Sequence, residues 1–171
     1  MTMRREEEIV TCSNCESPTA KIVEGVYQFK ESGLTNVSLI GVDRIVCDQC
    51  GNIDPIIPNV NELMTVLAWH IATRRYRLCG EEVRFLRKYL KMSAAEFSKL
   101  IGVDKGTLSK WENNSDRVGG SSDRLIRSVV LTLGEGLKER AEEGVRTFDW
   151  IVEEYRNENV RVDMETLEVT V

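Results

Sequence analysis

Two stretches near the front of the chain alternate apolar with polar residues, AKIVEGVYQF at 20–29 and NVSLIGVDRIVC at 36–47. A period of two places alternate side chains on opposite faces of a strand, and Glu31-Ser32-Gly33 between the stretches marks a turn. Residues 9–55 therefore read as short strands and turns, with a hairpin or small sheet at their centre. Pro55 and Pro58 close this segment, and the period then lengthens. Asn59 or Asn61 caps a helix expected to run to about Leu78, on which Leu63, Leu67 and Ile71 form one apolar line with Val66 and His70 beside it. Met64, Trp69, Ala72 and Tyr76 occupy its other faces, so the helix is expected to be gripped on more than one side, between the halves of the chain or across a dimer. Arg74-Arg75-Tyr76-Arg77 suits its C-terminal end, where cations oppose the negative end of the dipole.

Residues 80–133 read as short helices separated by tight turns. A more acidic helical stretch follows to about residue 157, with Gly136 and Gly144 as points of interruption, and the end NVRVDMETLEVTV alternates like a strand or hairpin. The expected fold class is α+β: a β module over 1–58, a connecting helix over 59–79, an all-α bundle over 80–133, and an acidic helical and β tail over 134–171.

Composition changes this picture in one respect. With 42% hydrophobic and 30% charged residues the 171-residue chain has the make-up of a globular protein. Its net charge of −5 is uneven: residues 1–58 carry 5 basic and 9 acidic side chains (−4), 59–133 carry 13 and 8 (+5), and 134–171 carry 5 and 11 (−6). Phosphate neutralisation supplies most sequence-independent affinity for DNA, so a DNA surface belongs in the middle segment. No run of 18 uncharged apolar residues is present and MTMRREEEIV lacks an apolar signal core, which makes the expected location cytoplasmic. Five cysteines in such a setting favour metal or redox use over disulfides.

Cys12 and Cys15 flank two residues, as do Cys47 and Cys50, with 31 residues between the pairs. Each gap lets a tight turn aim two thiolates at one centre, and together the pairs supply the four sulfurs of a closed tetrahedral zinc site. Gly51 suits the second turn and Pro18 marks the first. With no open position for water, the expected role is one structural zinc per chain, contributing folding energy to a small segment. Iron or a redox dithiol are the alternatives. Cys79 stands alone and reads as a small buried residue.

The stretch MSAAEFSKLIGVDKGTLSKWENN, residues 92–114, carries the second constellation. Ser93 and Glu96 form a capping box, Gly102 stops the first helix, and Asp104 caps a second over residues 105–112. Phe97, Leu100, Ile101, Val103, Leu108 and Trp111 fall where two steeply crossing helices share a core, the plan of a helix-turn-helix completed by helices at 81–91 and 122–133. Lys105, Gly106, Thr107 and Lys110 are left facing outward at the end that points at base edges, and Ser93 opens a helix suited to a phosphate.

At these residues the chain resembles the Cro and cI repressor-like helix-turn-helix proteins. Together with the two upstream C-x-x-C pairs it resembles the MqsA-type antitoxins, which place a YgiT-type zinc finger before a repressor-like domain; the resemblance covers about residues 10–133. It implies dimeric binding to double-stranded operator DNA, repression of the protein's own operon and a ribonuclease toxin held by the zinc half. The chain departs from the repressor pattern at Ala94, where a glutamine is common, and at Gly106. A regulator without a toxin partner and a protein-binding adaptor are the other readings. An enzyme is not expected, since the one histidine, His70, lies on an apolar helix without a nucleophile or paired carboxylates at suitable spacing.

Overall fold

A computed structural model describes residues 8–171; residues 1–7, and with them most of the start MTMRREEEIV, lie outside the described part. The alternating stretches form β2 (Ala20–Gln28) and β3 (Val37–Val46), antiparallel with Lys21 opposite Val46 and Gln28 opposite Ser38, and with a bulge between Gly25 and Tyr27. Their connection is one helical turn over Lys30–Ser32 stopped by Gly33 at φ 81°, where Ser32 Oγ donates to Phe29 O at 2.7 Å. A short β1 (Ile9–Val10) pairs with β2. On the other edge of β3 two strands lie end to end: β4 (Ile53–Ile56) along Asp43–Val46 and β5 (Val160–Asp163) along Val37–Ile40. A sixth strand, β6 (Val169–Thr170), closes a hairpin with β5.

The β3–β5 pairing is parallel, which requires a long crossover, and here the crossover is the whole helical part of the chain. It comprises α1 (Val60–Thr73), α2 (Gly80–Tyr89), α3 (Ala94–Leu100), α4 (Lys105–Glu112), α5 (Gly120–Leu133) and α6 (Ala141–Arg146). The fold is α+β, as expected. The alternating tail thus ends as strands of the same sheet that the N-terminal hairpin begins.

One apolar cluster runs through both parts. Phe29, Leu34, Val37, Leu39 and Val42 of the hairpin meet Leu63, Leu67 and Ile71 of α1, and the cluster continues through Phe85, Phe97, Leu108 and Leu131 to Val160 and Val162 of β5. This accounts for apolar residues around most of α1: sheet and bundle grip it together. Trp69, on a more open side, lies under the Arg140 guanidinium, 3.8 Å from the ring centre.

The first helix ends at Thr73, earlier than periodicity alone suggests, and Arg74 is extended. The reason is a side chain from α5. Arg127, wholly buried, donates from Nη1 to the carbonyls of Ile71 (3.2 Å), Ala72 (3.1 Å) and Arg74 (2.8 Å), and from Nη2 to Tyr76 O at 2.5 Å. The cation opposing the helix dipole is therefore Arg127, while Arg74 pairs with buried Glu82 (2.6 Å) and the buried Arg77 reaches the exposed Glu153 (2.5 Å). Beyond α5 the helical stretch is broken, as the two glycines suggested, into single turns and the short α6 over Lys138–Trp150. It gives way to extended chain from Ile151, which returns along the 74–77 linker toward β5.

Candidate metal centre and DNA-reading unit

The two C-x-x-C segments fold into matching loops. In the first, Cys12 N donates to Ser17 O at 2.8 Å and Glu16 N to Cys12 O at 3.0 Å; in the second, Cys47 N donates to Asn52 O at 3.0 Å and Gly51 N to Cys47 O at 2.9 Å. Each loop needs one left-handed residue, supplied by Gly51 at φ 72° and by Glu16 at φ 56°. Cys12 and Cys47 are buried, Cys15 and Cys50 exposed. Their four Sγ atoms lie within 4.8 Å of one another, with Cys12–Cys50 at 3.7 Å and Cys15–Cys47 at 3.6 Å.

Four thiolates at about 2.3 Å from a tetrahedral zinc stand roughly 3.8 Å apart, so these four cysteines can hold a metal ion and the spacing fits zinc. The thiols are not equivalent: at Cys15 the backbone hydrogen bond at Ser17 is outweighed by the neighbouring Cys50 thiol and by burial, which push it up to about 12. The backbone N–H of Asn52, then the side-chain amide of Asn14, hold the Cys50 thiol down at about 6; Asn14 N also donates to Cys12 Sγ at 3.4 Å. Asp54 on β4 ties the loops together by accepting from Ser13 and, at 2.8 Å, from Asn52.

Because a side chain in the left-handed region costs about 1–2 kcal/mol and glycine avoids it, Glu16→Gly is expected to stabilise the first loop by about 0.5–1 kcal/mol. The concentration of chelator that removes half the metal should rise about two- to fivefold. A lower chelator midpoint in the variant would contradict this account of the loop.

In the bundle, Ser93 Oγ accepts from Glu96 N at 3.2 Å while Ser93 N donates to Glu96 Oε2 at 2.8 Å, the expected capping box at the start of α3. Gly102 takes the left-handed turn at φ 70°, Val103 packs against the core, and Asp104 caps α4 by accepting from Thr107 N at 2.9 Å. Leu108 is wholly buried and Trp111 6% exposed, so the tryptophan is a core residue. Leu100, expected in the shared core, is instead 44% exposed at the last turn of α3.

Lys105, Gly106 and Lys110 are exposed along α4. Thr107 is half-buried and its hydroxyl donates to Asp104. The glycine at 106 also has a local reason: a Cβ there would stand 2.9 Å from Asp104 Oδ1, the atom that caps the helix.

An arrangement not read from the sequence fixes the far end of α4. Arg87 of α2 makes a two-pronged pair with Glu112, Nε to Oε1 at 2.6 Å and Nη2 to Oε2 at 3.0 Å, and donates from Nη1 to Met92 O at 2.9 Å. Arg84 reaches Glu112 O at 2.9 Å. The pairing of residues 25 apart carries no periodic signal. It also lowers the surplus of positive charge at the surface, since Arg74, Arg77 and Arg127 are buried and Arg84 and Arg87 face Glu112. What remains exposed in this segment includes Lys99, Lys105, Lys110, Arg117 and Arg124.

Two capped helices that share one core, with Lys105 and Lys110 exposed on the second, have the arrangement of a helix-turn-helix. Residues 83–121 match the helix-turn-helix family HTH_3, which supports a DNA-binding transcriptional regulator. No curated protein and no solved structure matches the chain. Among the described residues no helix is long and apolar enough to cross a membrane.

His70 takes no part in either site. It is mostly buried beside Leu67, Val37 and Val160, and desolvation, then the Arg74 charge, lower its pKa. Cys79 begins α2, where burial, then the Glu82 charge, push its thiol up to about 12.

Proposed function

We propose that the protein is a sequence-specific, repressor-like regulator that binds double-stranded operator DNA as a homodimer and carries one structural zinc on Cys12, Cys15, Cys47 and Cys50. The observation that carries the DNA reading is the anchoring of α4. Its inner face is locked by Leu108, Trp111 and the Arg87–Glu112 pair, while Lys105, Gly106 and Lys110 face out from its exposed side. A rigid helix with short or cationic groups along its exposed face is what a major groove accepts. Thr107 contributes its methyl group, since its hydroxyl serves the cap, and Ser93 presents the start of α3 to the backbone. A dimer binds two half-sites roughly one helical turn, about 10–10.5 base pairs, apart.

The finer reading is an antitoxin that represses its own operon from the cytoplasm, the acidic zinc module holding a toxin. Support for it is the order of the two modules and the net charge of −4 over residues 1–58, which suits a basic protein better than DNA.

Lys105→Ala with Lys110→Ala tests the DNA surface. Both residues are exposed, so the fold should survive, as circular dichroism would report. Affinity for the DNA upstream of the protein's own gene is expected to fall tenfold or more, about 1.4 kcal/mol, and the slope of log K against log salt should flatten by up to about 1.8. Unchanged affinity would remove α4 as the reading helix.

A further inference from the structure

Tyr155 lies far along the chain from the matched helix-turn-helix segment 83–121, yet the fold brings it against the loop that follows α4. The extended stretch from Ile151 to Arg156 is bound along the linker between α1 and α2: Val152 N donates to Arg75 O at 3.0 Å and Arg77 N to Glu154 O at 2.9 Å. This places the Tyr155 hydroxyl 2.9 Å from Val118 O, to which it donates, and its ring 5.0 Å from the guanidinium carbon of Arg117. Val118 is buried and Arg117 exposed, so Tyr155 fixes the inner side of this loop and aims the cation on its outer side.

The same loop is tied to the reading helix. Ser115 N and Asp116 N both donate to Lys110 O, at 2.9 and 3.3 Å, and Asn114 Oδ1 accepts from Gly80 N at 2.7 Å. Movement at residues 114–118 therefore reaches the turn of α4 that carries Lys110. A free arginine loses rotamer freedom when it meets a phosphate; one already held over an aromatic ring has less to lose.

We propose that Tyr155 is a positioning residue for the DNA-reading unit: it holds the loop after α4 and aims Arg117 at a phosphate of bound DNA. The proposal rests on the DNA-binding reading above. It makes the returning tail, and not only the matched segment, part of the apparatus that engages DNA.

The test is the salt dependence of binding to a random-sequence duplex of about 30 base pairs, with folding followed by circular dichroism. Arg117→Ala and Tyr155→Leu are each expected to flatten the slope of log K against log salt by about 0.9, the equivalent of one phosphate contact, and the double variant should flatten it no further. Tyr155→Phe keeps the ring, and so should keep the slope while weakening binding a few-fold through the lost bond to Val118 O. A residue that only stabilises the fold would lower the melting temperature and leave the slope alone.

A slope unchanged in Arg117→Ala overturns the proposal, as does one flattened there but not in Tyr155→Leu. Arg117 is exposed, so its variant reads the contact even where Tyr155→Leu fails to fold, and Tyr155→Phe then reads the hydroxyl. Wild-type protein that shows no salt-dependent binding defeats the DNA reading itself. A steep wild-type slope with unaltered variants defeats the roles of Arg117 and Tyr155 and leaves the DNA reading in place.

Discussion

Arg127→Ala is expected to be the most damaging single substitution in the described chain, costing about 3–5 kcal/mol. The side chain is wholly buried and makes five hydrogen bonds: one at 2.7 Å to Asp123, itself wholly buried, and four to the carbonyls of Ile71, Ala72, Arg74 and Tyr76. Removing it strands a carboxylate in the core beside the unsatisfied end of α1, and Asp123 is meanwhile still engaged by Leu78 N at 2.8 Å. Native domains are stable by only about 5–15 kcal/mol in total. The melting temperature should therefore fall by about 6–20 °C, read by circular dichroism or calorimetry. Lysine should not rescue, because a compact ammonium has three donors and cannot span the same set of acceptors. Arg146→Ala is the control: its partner Glu142 and the arginine itself are mostly exposed, and such pairs are worth under about 1 kcal/mol. A melting temperature in Arg127→Ala within about 2 °C of wild type would show that the α1–α5 junction does not depend on this residue.

The second large effect concerns the metal. Cys47→Ser is expected to lower bound zinc from about one ion per chain to almost none by elemental analysis, because three sulfurs no longer close the site. How much structure goes with it follows from the packing. The buried apolar residues around the metal loops are Cys12, Ala20 and Cys47, flanked by Val10 and Ile45, and they form a cluster separate from the main core. So few apolar contacts cannot order the loops unaided, whereas Val37, Leu39 and Val42 of β3 belong to the main core and stay packed. Hydrogen exchange should therefore lose protection around residues 9–22 and 45–56 while α1 to α5 keep theirs. Isolated zinc-finger peptides gain about 10–16 kcal/mol from metal binding; here only the outer end of the sheet draws on that energy. A metal-free chain with both loops still protected would refute the structural role of the ion.

These two sites differ in how far they could be read from residue order. The metal centre was legible because its chemistry is local twice over: each C-x-x-C loop sets two thiols by itself, and only the meeting of the loops needed the hairpin. The capping box at Ser93, the stop at Gly102 and the cap at Asp104 are likewise interactions between residues two or three apart, so the helix-turn-helix could be placed to within a residue. Leu100 was misplaced as a core residue because it falls on the last turn of α3, where the chain leaves the shared face. Only part of the positive charge of residues 59–133 reaches the surface. Net charge counts a guanidinium in the core, such as Arg127, the same as one at the surface, such as Arg117.

Periodicity and short-range chemistry by themselves determined the strands, most of the helices, the four cysteines that cluster and the two helices of the helix-turn-helix. Only the tertiary structure decided that β5 pairs with β3 in parallel, that α1 ends where Arg127 meets its carbonyls, that Arg87 braces Glu112, and that Tyr155 meets the loop after α4. The reason is physical: a strand edge, a buried cation or a phenol is satisfied by any partner of suitable chemistry that the fold brings within about 3 Å, and residue order does not encode which distant group arrives there. Packing of the whole chain around one core makes that selection.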